Sequence, residues 1–369
     1  MFRLSLSALA SAMAGSGQVS CAALSGVTTT TGNARSMTFS SPVNHTATHE
    51  ANDAECIRAR QSHEAFMKFL ASSGAVLEGV AVCPSAEQCR GLVATRPFRE
   101  GTTVLSVPMS TLSITADRLL NTDFIQSLHP PARDDVRRLL TTRGFKDPVL
   151  CDQVHLALLL AGERINSNSP FAPYFDVLPH PAINDGAVIQ RYKDVLDPTQ
   201  LLEWDDHQRD WVTVLRELSE RWGTAGPPLE VCYWAWRIVL SRMHMLPDRG
   251  LAPGDMGSKL HYSALATYGR AERQTRILKR LRATIGAVFG SDSAAEDYRL
   301  VPTLLPLLDM TNHLPSSNVS VEVQPRGDRG SCGELQALRE IQAGEQIGLC
   351  FNRTHGISFT LYRFGFLPL

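Results

Sequence analysis

The sequence carries almost no net charge, −1 over 369 residues. That removes the electrostatic case for nucleic acid or an anionic membrane as the main partner. It has no apolar run of bilayer-spanning length and no long internal repeat, so neither a transmembrane nor a solenoid architecture is predicted. It also lacks any Cys-x-x-Cys pair. The eight cysteines (Cys21, Cys56, Cys83, Cys89, Cys151, Cys232, Cys332 and Cys350) are scattered, a spacing that suits free thiols in a reducing compartment rather than a disulfide framework or a closed zinc site. No metal is expected. Residues 1–49 contain neither Asp nor Glu, carry Arg3 and Arg35, and are rich in Ser, Thr, Ala and Gly. An acid-free, hydroxyl-rich start has the composition of an organellar transit peptide or an unstructured leader, the run from Leu4 to Ala14 reads equally as a short secretory h-region, and the expected location is mitochondrial or cytoplasmic. Asn44-His45-Thr46 and Asn318-Val319-Ser320 fit the glycosylation pattern, which is short enough to arise by chance.

What is present is a globular composition, 43% hydrophobic and 20% charged. A chain of this length predicts one large domain with an insertion, or two domains. Ile57, Phe66, Phe69 and Leu70 predict an amphipathic helix stopped at Gly74, and β-branched pieces follow at Val80–Val82, Gly91–Ala94 and Val104–Val107. Residues 116–245 read as helices, among them Val154–Ile165, the Trp-containing Leu201–Trp222, and Leu229–Met245 before Pro247. Between them Ser169–Pro179 holds Pro170, Pro173 and Pro179 and reads as a packed connector without regular structure. Residues 247–299 read as a connection and a basic helix whose charged face is solvated. Strands return at Val319–Val323, Leu335–Ile341 and Ile347–Phe351.

The most informative stretch is Leu300–His313, an apolar run that ends abruptly in Asp309, Asn312 and His313. Pro302 and Pro306 exclude a helix interior. Buried polar side chains at such a boundary need partners, either one another or a bound ligand.

Taken in order, Gly91-Leu92-Val93-Ala94-Thr95-Arg96, Gly101, Val107-Pro108, Pro173-Tyr174, Leu178-Pro179, Trp234-Ala235, Ser241-Arg242, Pro306–His313, Ala343–Ile347 and Gly365-Phe366 resemble the SET-domain methyltransferases. The branch is that of Rubisco large-subunit lysine methyltransferase and the actin-histidine methyltransferase. The resemblance covers about residues 62 to 366. It implies an α+β fold of small β-sheets with a pseudoknot-like carboxyl-terminal segment, interrupted by a helical insertion. The implied arrangement is a leader over 1–56, an amino-terminal SET part over 57–118, the insertion over 119–299 and the carboxyl-terminal SET part over 300–369. The implied activity is methylation of a protein substrate from S-adenosyl-L-methionine, expected on lysine of a non-histone protein. Carried over residue by residue, the implied cofactor contacts are Arg90, Gly91, Arg242, Asp309, Asn312, His313, Phe364 and Gly365. Arg242 suits a carboxylate through its forked donors, and Asn312 offers an amide oxygen to an ammonium.

Three positions depart from the family pattern, one of them Phe364, which stands at the family's second tyrosine. Cys89 stands where the family has the first glycine of its turn, and Phe351 stands where it has a tyrosine whose hydroxyl borders the transferred methyl. Losing one such hydrogen bond, about 1–3 kcal/mol, slows transfer by one to two powers of ten. The readings left open are slow catalysis, catalysis with the Tyr362 hydroxyl substituting, and a SET-fold binding module that no longer transfers methyl groups.

Overall fold

The computed structural model describes residues 45–83, 91–180, 186–247, 300–326, 330–351 and 357–364. Arg90 and Gly365, Cys89 and the basic helix expected within 247–299 lie outside the described residues. The chain divides into two compact units, Met1–Arg58 and Ala59–Leu369, and the candidate site belongs to the second.

Helix α1 (His45–Ser72) begins before the helix read from the sequence, within the stretch expected as leader. Phe66 and Leu70 are its fully buried anchors. Gly74, at φ +82°, supplies the left-handed residue that turns the chain after the helix. Next come β1 (Val80–Cys83), β2 (Gly91–Ala94) and β3 (Thr103–Pro108).

The helical region follows, with short turns leading to α2 (Arg133–Thr142), α3 (Pro148–Arg164), α4 (Pro198–Trp222) and α5 (Leu229–Arg242). Local chemistry explains where these helices start. The Asp147 side chain accepts from the Val149 amide ahead of Pro148, and Asp197 and Gln200 form a reciprocal capping box around Pro198. Both satisfy amides that the first turn leaves bare. Buried side chains occur on every side of α3 from Gln153 to Glu163, as expected of a central helix. Trp211 of α4 packs on Trp236 of α5 with ring centroids 4.2 Å apart.

Two expectations in this region change. Pro173 does not prevent regular structure, because Ala172–Phe175 forms a helical turn with the proline in its first positions, where no amide is required. The apolar run after Leu229 does not remain helical to Met245. Helix α5 stops at Arg242, Met243 is extended, and His244–Pro247 becomes strand β4, antiparallel to β5 (Leu300–Thr303). A continuous apolar run fits a buried helix and a buried strand equally, and the long-range partner decides.

The remaining chain comprises a 3₁₀ turn at Leu308–Met310, β6 (Asn312–His313), β7 (Val319–Pro325), β8 (Ser331–Ala337), β9 (Gln346–Leu349) and helix α6 (Ile357–Phe364). Strand β8 starts earlier than the Leu335–Ile341 reading because it is paired along its length with β7. Ile341 instead bridges to Phe98. Helix α6 has no counterpart in the sequence reading. Three small sheets result, ordered β1-β2-β9-β6, β3-β8-β7 and β4-β5. Asn318 is fully buried. Its amide bonds the Gln346 carbonyl at 2.7 Å and the Gly348 amide at 2.9 Å, so it is a structural linker and not an accessible glycosylation site.

Candidate active site

The site forms where the end of α5 meets the 3₁₀ turn and the end of β9. The turn is set up by Leu307, a fully buried residue with φ +80° and ψ −50°. For a branched side chain this conformation is strained by about 1–3 kcal/mol. It reverses the chain after Pro306 and brings Asp309 into a narrow cleft lined by Arg242, His244, Asp309, Thr311, Leu349 and Phe351.

Asp309 is the centre of this cleft. One carboxylate oxygen accepts from the Tyr174 hydroxyl. The other, Oδ1, is buried and has no protein partner. The Asp309 main-chain carbonyl accepts from Arg242 Nη1 at 2.9 Å. Burial drives the Asp309 carboxyl up to about 6, opposed by the nearby Arg242 charge and the Tyr174 hydrogen bond. Burial and the carboxylate together push the Tyr174 phenol well above its ordinary range, so the phenol is the donor in this pair.

His244 lies beside these groups. Its ring is buried, and Nδ1 has no partner. Burial, reinforced by the positive charge of Arg363, lowers it to about 4. At neutral pH it is therefore an uncharged imidazole facing the cleft. Neither Tyr174 nor His244 is a candidate in the sequence reading. Tyr174 sits in a proline-rich connector and meets Asp309 only across the fold, and His244 is hidden in an apolar run.

Strand β9 gathers the other expected contacts. On one edge Leu92 of β2 pairs with Ile347, which sets Gly91 at the head of the neighbouring strand. On the other edge Asn312 pairs in parallel with Gly348 and His313 with Leu349. A side chain at Gly348 would meet Leu314 Cγ at 2.4 Å and the Asn312 carbonyl at 3.0 Å, so only glycine allows this approach. His313 Nδ1 accepts from the Phe351 amide at 2.9 Å, which makes the ring a backbone anchor. Burial lowers its proton affinity, consistent with that accepting role. Phe351 stacks against Phe364 at 5.2 Å and lies 5.6 Å from the His313 ring.

The structure therefore brings Arg242, Asp309, His313, Phe351 and Phe364 together around one cleft, with Gly91 and Asn312 on the strands flanking β9. Tyr362 is placed differently. Its hydroxyl accepts from Trp236 Nε1 at 3.2 Å, its ring packs under Arg237, and the side chain is almost fully buried. This is a core position between α4, α5 and α6, where the hydroxyl already has a structural partner. The reading of Tyr362 as a substitute catalytic hydroxyl therefore concerns a hydroxyl that is already engaged by Trp236.

Among the described residues, no group of three or more His, Cys, Asp or Glu side chains is arranged to hold a metal ion, and no helix is long and apolar enough to cross a membrane. Among curated proteins none matches the chain. Solved structures similar to it include the SET domain of LSMT bound to lysine and AdoHcy, at 15% identity and TM-score 0.49, covering 84% of this chain and 57% of that one. Another is Rubisco LSMT bound to AdoMet, at 15% identity and TM-score 0.46, covering 83% of this chain and 56% of that one. The chain thus spans little more than half the length of those proteins. The family signature described as SET domain matches residues 89–352, most of the chain and all the cleft-lining residues, so the chain belongs to the SET-domain family.

Proposed function

We propose that the chain is an S-adenosyl-L-methionine-dependent protein methyltransferase of the Rubisco-methyltransferase-like branch, acting on lysine of a non-histone protein. The observation that supports this most is the unpartnered Asp309 Oδ1 beside Arg242 in the same cleft. A buried acceptor without a partner calls for a donor, and a guanidinium next to it calls for an anion. The amino-acid end of the cofactor carries both, an ammonium and a carboxylate. Arg242 would hold the carboxylate, and Asp309 with the Asn312 segment would hold the ammonium.

When bound, the cofactor supplies a methyl group already activated by sulfonium. The chain's own residues then have to orient the acceptor nitrogen and exclude water, an ordering that is worth about 7–11 kcal/mol in favourable cases. His313 fixes the backbone at Phe351, and Phe351 with Phe364 forms an apolar wall. His244 offers the neutral nitrogen that Phe351 lacks, a hydrogen-bond partner for the acceptor amine.

The second reading is a SET-fold cofactor-binding or protein-interaction module that does not transfer methyl groups, and Phe351 favours it. Calorimetric titration of the full chain with S-adenosyl-L-methionine, followed by a labelled-methyl assay on cell extract, separates the two. Binding with labelling of a protein band supports the methyltransferase, and binding without labelling supports the module. Absence of binding would sink the methyltransferase and the cofactor-binding form of the module.

A further inference from the structure

A second cavity lies away from the cleft, between the short helical turns after β3, the start of α2, helix α3 and strand β5. It has a volume of about 470 Å³, within the roughly 300–1,000 Å³ of small-molecule sites. Its exposed walls are mainly apolar, with Leu120, Pro130, Pro131 and Pro302 among them, while half of the lining residues are polar, including Asp117, Gln126, His129, Arg133, Asp152 and His155.

His155 of α3 lines this cavity and is only 3% exposed. The Pro131 backbone beside the ring favours a ring proton, and Nε2 is buried and has no partner in the protein. Proline has no amide hydrogen, so its backbone can only accept, which favours the imidazole tautomer with its lone pair on Nε2. Burial lowers the proton affinity of the ring, which keeps that lone pair free at neutral pH.

The charges around the cavity are unbalanced. Arg133 is paired with Asp152, and Asp117 adds a second carboxylate. Two carboxylates against one guanidinium, with a neutral imidazole acceptor below, disfavour an anion and favour a donor that carries positive charge.

We propose that this cavity is a binding site for a small molecule with an apolar body and a protonated amine, the amine donating to His155 Nε2 and lying within the field of Asp117 and Asp152. The site is separate from the methyl-transfer cleft, though both touch the same two-stranded ribbon. Val301 and Pro302 of β5 line the cavity, while His244 of β4 lines the cleft.

The test uses the full chain with labelled histidine, followed by NMR at pH 8, with the His155 ring signal assigned from its loss in His155→Phe. The probes are 2-phenylethylamine and, as its anionic counterpart of similar size, phenylacetate. The amine is expected to shift the His155 signal saturably, and phenylacetate to bind at least about tenfold more weakly. Asp117→Asn, at an exposed position, should weaken amine binding about threefold without disturbing the fold. His155→Phe should weaken it about tenfold, followed through the other cavity signals. A His155 signal unmoved by the amine, equal binding of the two probes, or unchanged affinity in Asp117→Asn would each overturn the proposal. If His155→Phe does not fold, His155→Gln supplies the assignment of the His155 signal, and the probe comparison and Asp117→Asn still decide it.

Discussion

Glu334 and Asp309 are both carboxylates taken out of water, and their surroundings differ in a way that separates scaffold from site. Glu334, on the central strand of the β3-β8-β7 sheet, is fully buried. It accepts from Ser106 at 3.0 Å, from Arg326 Nε and Nη2 both at 2.6 Å, and from Gln336 at 2.9 Å. Asp309 is nearly as buried, but one of its oxygens has Tyr174 and the other has nothing. A satisfied buried network stabilises a unique packing, whereas a half-satisfied one costs stability and persists where a ligand completes it. The strained Leu307 just before Asp309 points the same way, since strain is retained where the surrounding structure holds a site in place.

The comparison predicts opposite responses to removing the two charges. Glu334→Ala leaves the Arg326 guanidinium without its carboxylate and the Gln336 amide with Thr103 alone. The cost of breaking a buried ion pair is about 3–5 kcal/mol. Arg326 is 40% exposed, which places the expected loss near the lower end, about 3 kcal/mol. Urea unfolding of the two proteins measures it. A loss below about 1 kcal/mol would mean that the network is not structural and would remove one side of the comparison.

Asp309→Asn should do the reverse at neutral pH. The folded carboxyl is raised from 3.8 to about 6 by burial, so between those values the native state binds the proton more tightly than the unfolded chain does. Its contribution to stability is fully present below about pH 4 and is lost as pH rises through about 6. The stability of Asp309→Asn relative to the native sequence should therefore rise by about 2–3 kcal/mol between pH 4 and pH 7. Unfolding measured across that range in both proteins checks it. A difference that stays flat would mean that Arg242 already compensates the charge.

Much of the scaffold was legible because it rests on local chemistry. The periodicity of Val154–Ile165 and Leu201–Trp222 gives two helices, although their starts at Pro148 and Pro198 lie ahead of that reading, and the alternation of Val319, Val321 and Val323 gives a strand. The expected Arg242, Asp309, His313 and Phe351 converge because each stands in a motif whose order along the chain carries information. What was not legible depends on contacts distant in sequence. Tyr174 becomes a site residue only by meeting Asp309, and the strand at His244–Pro247 exists only because Leu300–Thr303 pairs with it. Leu307 gave no signal either, because a left-handed backbone is expected of Gly or Asn and not of leucine.

On the acceptor side of the cleft, Phe351 and His244 allow a smaller and sharper test. Phe351→Tyr restores the family hydroxyl and should speed methyl transfer by about tenfold, with cofactor affinity nearly unchanged. If His244 now provides the polar contact, His244→Phe should slow transfer by a similar factor, on top of a stability loss of about 1–3 kcal/mol from the larger ring at this buried position, measured separately by urea unfolding. Transfer rates and calorimetric affinities of both variants decide this. No rate change in either would leave the acceptor side without a polar determinant, whereas absence of transfer in the native chain and in Phe351→Tyr alike would favour the non-transferring module.

The smallest effect is expected at Tyr362, and it distinguishes the packed helical core from the cleft. Tyr362→Phe keeps the ring between α5 and α6 and removes only the acceptor of the Trp236 indole hydrogen bond. Leaving that buried donor unpaired should cost about 1 kcal/mol in urea unfolding. Methyl transfer and its pH profile should not change, because the hydroxyl serves Trp236 and not the acceptor amine. A fall in transfer larger than the fall in stability would show that the hydroxyl reaches the reaction after all. Glu334 and Tyr362 would then no longer form one class of satisfied structural groups set against the incomplete cluster around Asp309.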